Sequence, residues 1–68
     1  MQTVARVTEI SARSDVSFED AISVGISRAT KSLRGVKGAW VKEQEVVIDD
    51  DRIVGYEVKL KVTFELED

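Results

Sequence analysis

The chain contains no cysteine, no histidine and no proline. Without thiols no disulfide can restrain the unfolded state, and without cysteine or histidine a zinc centre lacks its usual ligands. The same absences remove the commonest neutral-pH proton carrier and the thiol nucleophile. Ser11, Ser14 and Ser17 therefore have no activating partner and read as loop and capping residues. An enzyme is not expected. Apolar runs are short as well: none reaches half of the roughly 20 residues that span a bilayer, and nothing resembles a signal peptide. The missing cysteines suit a cytoplasmic protein. Basic charge is in deficit, with ten Lys and Arg against thirteen Asp and Glu and a net charge of −3. Nucleic-acid binders usually carry a basic stripe, so that partner is not expected either.

Length sets the next constraint. Residues 1–68 make one domain. A chain of this size buries only about 60% of the surface that its unfolded form exposes. Disulfides and zinc being excluded, oligomerisation is the reinforcement that remains.

What is present reads as strand, helix, strand, strand, an α+β chain. Residues 3–11 are rich in β-branched side chains, with Val4, Val7 and Ile10 apolar, and predict a strand. A polar connection over 12–16 leads to Ser17, which can cap a helix, with Asp20 three residues on as a short-armed version of the capping box. The helix is expected from 18 to about 34. Ile22, Ile26, Ala29 and Leu33 form one stripe on a 3.6-residue period, flanked by the small residues Ala21 and Gly25. Lys31 and Arg34 favour the negative end of the helix dipole, and Gly35 supplies a left-handed stop. Residues 39–48 and 53–66 predict a long hairpin about the turn 49–52, although that turn lacks Asn-Gly or Asp-Gly. In the last strand Val54, Tyr56, Val58, Leu60, Val62, Phe64 and Leu66 alternate with polar residues without a break.

The dimensions of these elements carry a consequence. A strand of about 14 residues spans roughly 45 Å, whereas a helix of about 17 spans roughly 25 Å. One such helix cannot cover the apolar face of the hairpin, and soluble monomers avoid large exposed apolar patches. Self-association is expected.

Several stretches together resemble the dodecin family. They are Val7-Thr8-Glu9-Ile10, Ser17-Phe18-Glu19-Asp20-Ala21, the helix end from Arg28 to Arg34, Val41-Lys42-Glu43, and the strand from Tyr56-Glu57-Val58 to Val62-Thr63-Phe64-Glu65-Leu66. Their order and spacing cover nearly the whole chain. The resemblance implies a three-stranded antiparallel sheet wrapped around one amphipathic helix, assembled as a hollow homododecamer. It also implies a small-ligand carrier, since well-known members hold stacked flavins between subunits without turning them over. The flavin positions, however, have changed. The tryptophan that such relatives place three residues before the valine matching Val41 is here Gly38, and Trp40 stands two positions later. The flavin-contacting glutamine falls on Glu57, which when ionised only accepts hydrogen bonds. Arginines near the ligands of some bacterial members fall on Glu45 and Glu65.

Two readings of the site follow. Glu45, Glu57 and Glu65 resemble what the calcium-binding subgroup of the family needs, because carboxylates gathered between copies call for a hard cation. Their bland alternative is a solvated strand face with Lys59 and Lys61 as partners. Alternatively, flavin (riboflavin or FMN) binds in a rearranged pocket with Trp40 as its stacking face and Glu57 nearby. Trp40 could equally pack at an interface between copies, where tryptophan is enriched. The triple Asp49-Asp50-Asp51 lacks the spacing and glycine of an EF-hand loop and reads as a solvated turn.

Overall fold

The structure, a computed structural model, describes residues 2–66. Its order is β1 (Ala5–Ser14), α1 (Phe18–Ser32), β2 (Val36–Asp49) and β3 (Arg52–Glu65). The three strands form one antiparallel sheet in the order β1-β3-β2. The strand with the cleanest alternation, β3, takes the centre, where both of its edges are paired. Val58, Leu60 and Val62 of β3 are fully buried against Ala21 of α1, with Ile10, Ala12, Phe18, Ile22, Ile26 and Leu33 packed around them. The expected β-α-β-β architecture is the observed one.

The helix lies differently on the sheet from what its stripe of large residues suggests. Its buried residues are Ala21, Gly25 and Ala29, one line at spacings of four. The larger Ile22 and Ile26 are half-buried to one side. Close approach explains the choice: a Cβ on Gly25 would stand 3.0 Å from the Ala12 Cβ and 3.1 Å from a Leu60 methyl. Small side chains occupy the contact line because the sheet leaves no room for others.

Element ends also differ from expectation. The first strand continues through Ala12, Arg13 and Ser14, which read as a connection in sequence, because β3 offers them Val58, Glu57 and Tyr56 as partners. Ser17 caps the helix as expected, accepting from the Asp20 amide at 2.9 Å. The return half of the capping box is replaced: the Asp20 carboxylate accepts from the Ser14 hydroxyl at 2.6 Å, and Ser14 Oγ accepts in turn from the Val16 amide. Ser14 is thus a buried strand-end residue that ties strand to helix. The helix stops at Ser32 rather than near residue 34, because Leu33 turns to an extended conformation and packs against the core. Gly35, at φ 71°, does not stop the helix but bends the chain into β2, where its carbonyl accepts from the Glu65 amide. A Cβ there would meet the Glu65 carbonyl oxygen at 3.0 Å.

At the far end of the hairpin Asp50 and Asp51 both take positive φ, 52° and 63°. Positive φ at both central residues is what the commonest two-residue hairpin loop requires, and aspartate tolerates it better than most residues other than glycine. The long axis of the molecule measures 51 Å. A 15-residue helix covers only about 22 Å of that at 1.5 Å per residue, so the hairpin tip extends beyond the N-terminus of α1, as the size argument anticipates.

Candidate functional site

Directly paired residues of an antiparallel sheet point to the same side. One side of this sheet faces α1. The other carries Glu9, Ser11 and Arg13 from β1, and Glu57, Lys59 and Lys61 from β3. From β2 it carries Trp40, Glu43 and Glu45. The candidate ligand residues from the sequence lie on this outer face, together with Glu43 and Ser11, which sequence reasoning passed over. Glu43 shares the odd parity of Glu45, and the residue that β2 skips between Val41 and Glu43 brings the even-numbered Trp40 onto the same face. The extra residue at such a bulge changes which sequence parity points outward.

Glu45 and Glu57 are direct cross-strand partners. Residues so opposed hold their Cβ atoms about 4.5–5.5 Å apart, and like charges in that relation are destabilising. Ser11 Oγ donates to Glu57 Oε1 at 3.1 Å. A shallow depression of about 210 Å³ lies here, lined by Glu43, Gln44, Glu45, Glu57 and Lys59. Three carboxylates line it, yet among the described residues no three acidic groups converge closely enough to hold an ion. One chain supplies at most part of a coordination shell.

The other sequence-predicted residues stand apart. Glu65 pairs with Ala5 at the opposite end of β3, eight residues or about 26 Å from Glu57. Trp40 pairs with Lys61 and is 52% exposed, four residues of β3 or about 13 Å from Glu57. Within one chain neither residue completes a site with the Glu45–Glu57 pair. Gly38 shares the outer face with Trp40, and a Cβ placed on it would meet nothing within 4 Å. The missing tryptophan is not excluded by crowding.

The two ion pairs among the described residues both belong to Glu9: Lys61 Nζ at 3.0 Å and Lys42 Nζ at 3.2 Å. Hydrogen bonds from Lys61 first and Lys42 second hold the Glu9 carboxyl below the usual glutamate range. Lys61 is thus committed to Glu9, not to the glutamates of the candidate site.

A small β-α-β-β sheet-on-helix protein, with an incomplete acidic site on an exposed sheet face, is the class that these features define. The family model for Dodecin matches residues 4–67, and the chain belongs to that family. It is 31% identical over 64 residues to the calcium dodecin of Mycobacterium tuberculosis, which covers 94% of this chain and 90% of that protein. Among solved structures, the dodecin from Streptomyces davaonensis superposes with a TM-score of 0.92 at 31% identity, with all of both chains covered. The calcium-chelating calcium dodecin of M. tuberculosis, described with a novel calcium-binding site, gives 0.82 at 31% identity, covering 94% of this chain and 91% of that one. Among the described residues no helix is long and apolar enough to cross a membrane.

Proposed function

We propose that the chain assembles as a homododecamer that binds calcium or another divalent cation between copies, as a non-enzymatic storage or buffering particle of the cytoplasm. The observation that carries this reading is the direct opposition of Glu45 and Glu57 on the exposed sheet face. Arg13 opposite Glu57 and Lys59 beside it form no ion pair with either glutamate among the described residues, and a hard cation would relieve the like-charge repulsion. The donors present are all oxygens, which suits calcium. Its six to eight ligands in loose geometry exceed what one chain offers here, so Glu45 and Glu57 would be joined by Glu43 and by carboxylates of neighbouring copies. Glu65 would contribute only from another copy. Similarity to a calcium dodecin supports the same choice of ligand.

Calcium that binds only the folded assembly stabilises it by about 2.7 kcal/mol at a hundredfold excess over Kd. Millimolar calcium should therefore raise the melting temperature, and a chelator should lower it. Glu57→Gln should weaken the response while nearly preserving shape. A melting curve unchanged between excess calcium and excess chelator would refute the cation site.

The second reading, flavin storage using Trp40 and Glu57, is favoured by one observation, the large exposure of Trp40. Against it, the stacking ring expected at position 38 is absent, which forfeits about 0.5–1.5 kcal/mol. Glu57 has no N–H to offer, which costs about 1–3 kcal/mol for each buried ligand acceptor left unpaired. Riboflavin and FMN should bind weakly. Gly38→Trp combined with Glu57→Gln should tighten binding by about tenfold or more, since each 1.4 kcal/mol is a factor of ten. Submicromolar quenching of flavin fluorescence by the unaltered protein would replace the cation reading with this one.

A further inference from the structure

A glycine stands inside β3, the strand with the cleanest alternation. Gly55 pairs with Val47 of β2 on the exposed sheet face, yet it is buried. Glycine inside a strand packs no side chain and often marks a place where another group approaches closely. The backbone here does not call for it, because Gly35 is the one glycine with positive φ among the described residues. Space calls for it instead. A Cβ on Gly55 would stand 2.8 Å from Arg13 Nε, 3.0 Å from Arg13 Nη2 and 3.2 Å from Arg13 Cζ. The guanidinium of Arg13 lies against the glycine and covers it.

That is not the partner its register suggests. Arg13 is the direct cross-strand neighbour of Glu57, and Glu57 in turn opposes Glu45. A guanidinium pairs well with a carboxylate, yet both ion pairs among the described residues belong to Glu9. Arg13 reaches diagonally instead, past Glu57 to the residue two places nearer the hairpin turn, a span that long side chains cover. The depression beside Glu45 and Glu57 is lined by Lys59 and not by Arg13. Lys42 and Lys61 are held by Glu9. Arg52 sits opposite Asp49 at the hairpin end, five residues or about 17 Å from Glu57. Arg13 is thus a cation in register with the carboxylate pair and turned away from it.

We propose that Arg13 is a tethered competitor for the Glu45–Glu57 pair. Parked on Gly55, it leaves both carboxylates open to a divalent cation. Swung onto Glu57, its guanidinium supplies the positive charge itself and excludes the cation. The other diagonal neighbour of Arg13 on β3 is Lys59, which repels it. Gly55 and Glu57 are therefore the two places where the arm can settle on that strand. The size of residue 55 then sets how available the carboxylates are. The inference rests on the cation reading above and adds the two residues that tune its affinity.

Calcium titration calorimetry tests this on the unaltered chain, Gly55→Ala, Arg13→Gln and the double variant. Alanine at 55 fills the parking place, and what it displaces is the end of a flexible side chain rather than backbone. Gly55→Ala should weaken calcium binding about fivefold, the equivalent of about 1 kcal/mol for an exposed ion pair. In the double variant the same alanine should leave the affinity where Arg13→Gln alone puts it, because no guanidinium remains to displace. An unchanged affinity in Gly55→Ala would overturn the competition. So would a loss that persists in the double variant, since the alanine would then act on the strand by itself. If the unaltered protein takes up no calcium, the cation reading and this inference fall together. If it binds calcium and the two substitutions act independently, this inference alone falls.

Discussion

Glu9 shows how a single position departs from its sequence neighbourhood. It lies between Thr8 and Ile10 with no cation beside it in the chain, and the fold brings Lys61 from β3 and Lys42 from β2 onto one carboxyl oxygen. Lys61 is the direct cross-strand partner. Lys42 reaches it from a bulge, where the extra residue of β2 has no partner of its own. The folded carboxyl is stabilised in its charged form, so its pKa is lowered. The resulting stabilisation is complete above the ordinary glutamate range and disappears as the pH falls through the lowered folded value. The pair is exposed and screened by salt, which keeps its contribution small. An NMR pH titration should find Glu9 titrating lower in the folded protein than in the unfolded chain. Lys61→Met should move it back upward, and a titration that Lys61→Met leaves unmoved would remove the lysine as cause.

At the scale of elements, the contact of α1 with the sheet is the most constrained. Ala21, Gly25 and Ala29 let the helix settle onto β1 and β3, and Gly25 stands against both Ala12 and Leu60. Glycine in a helix interior costs about 1 kcal/mol relative to alanine, and here the cost is repaid by proximity. Overfilling such a contact typically costs about 1–3 kcal/mol. Gly25→Leu should therefore lower stability in chemical denaturation by at least that much, despite the better helix propensity of leucine. A variant as stable as the parent would mean that the helix can lift off the sheet without loss. The strands divide differently. In β3 strict alternation survives because both of its edges are paired through the core region. In β2 two single-residue shifts, at Lys37 and Lys42, break the period, and a third shift near Val47 falls on β3.

For the whole molecule, the decisive quantity is the mismatch between a 51 Å long axis and a helix of about 22 Å. Ile48, Ile53 and Val54 at the tip, Val41 on β2 and Val24 on the helix all remain substantially exposed. Among the described residues the fully buried large side chains are only Leu60, Val58 and Val62. A core this small in a chain without disulfides leaves little margin, and burial between copies is the source of additional apolar area. Sedimentation velocity at micromolar concentration should give a particle many times the 7.6 kDa of one chain, near a dodecamer. A monomer would remove the size argument together with any site assembled between copies.

The α+β class, the helix and the long hairpin were legible in the sequence because they rest on local periodicity and capping, whereas the central place of β3 in the sheet was not. The 3.6-residue stripe, Ser17 and the unbroken alternation of β3 each report on neighbours within a few residues. Tertiary structure alone decided where β1 ends, because Ala12, Arg13 and Ser14 become strand only when β3 pairs with them. It also decided which helix residues lie deepest, since closeness of approach is a property of two elements and not of one. The acidic site divides along the same line. Its glutamates could be named from the chain, but the opposition of Glu45 to Glu57 depends on register, which bulges shift. The separation of Glu65 from both depends on the length of the strand once it is laid flat in the sheet.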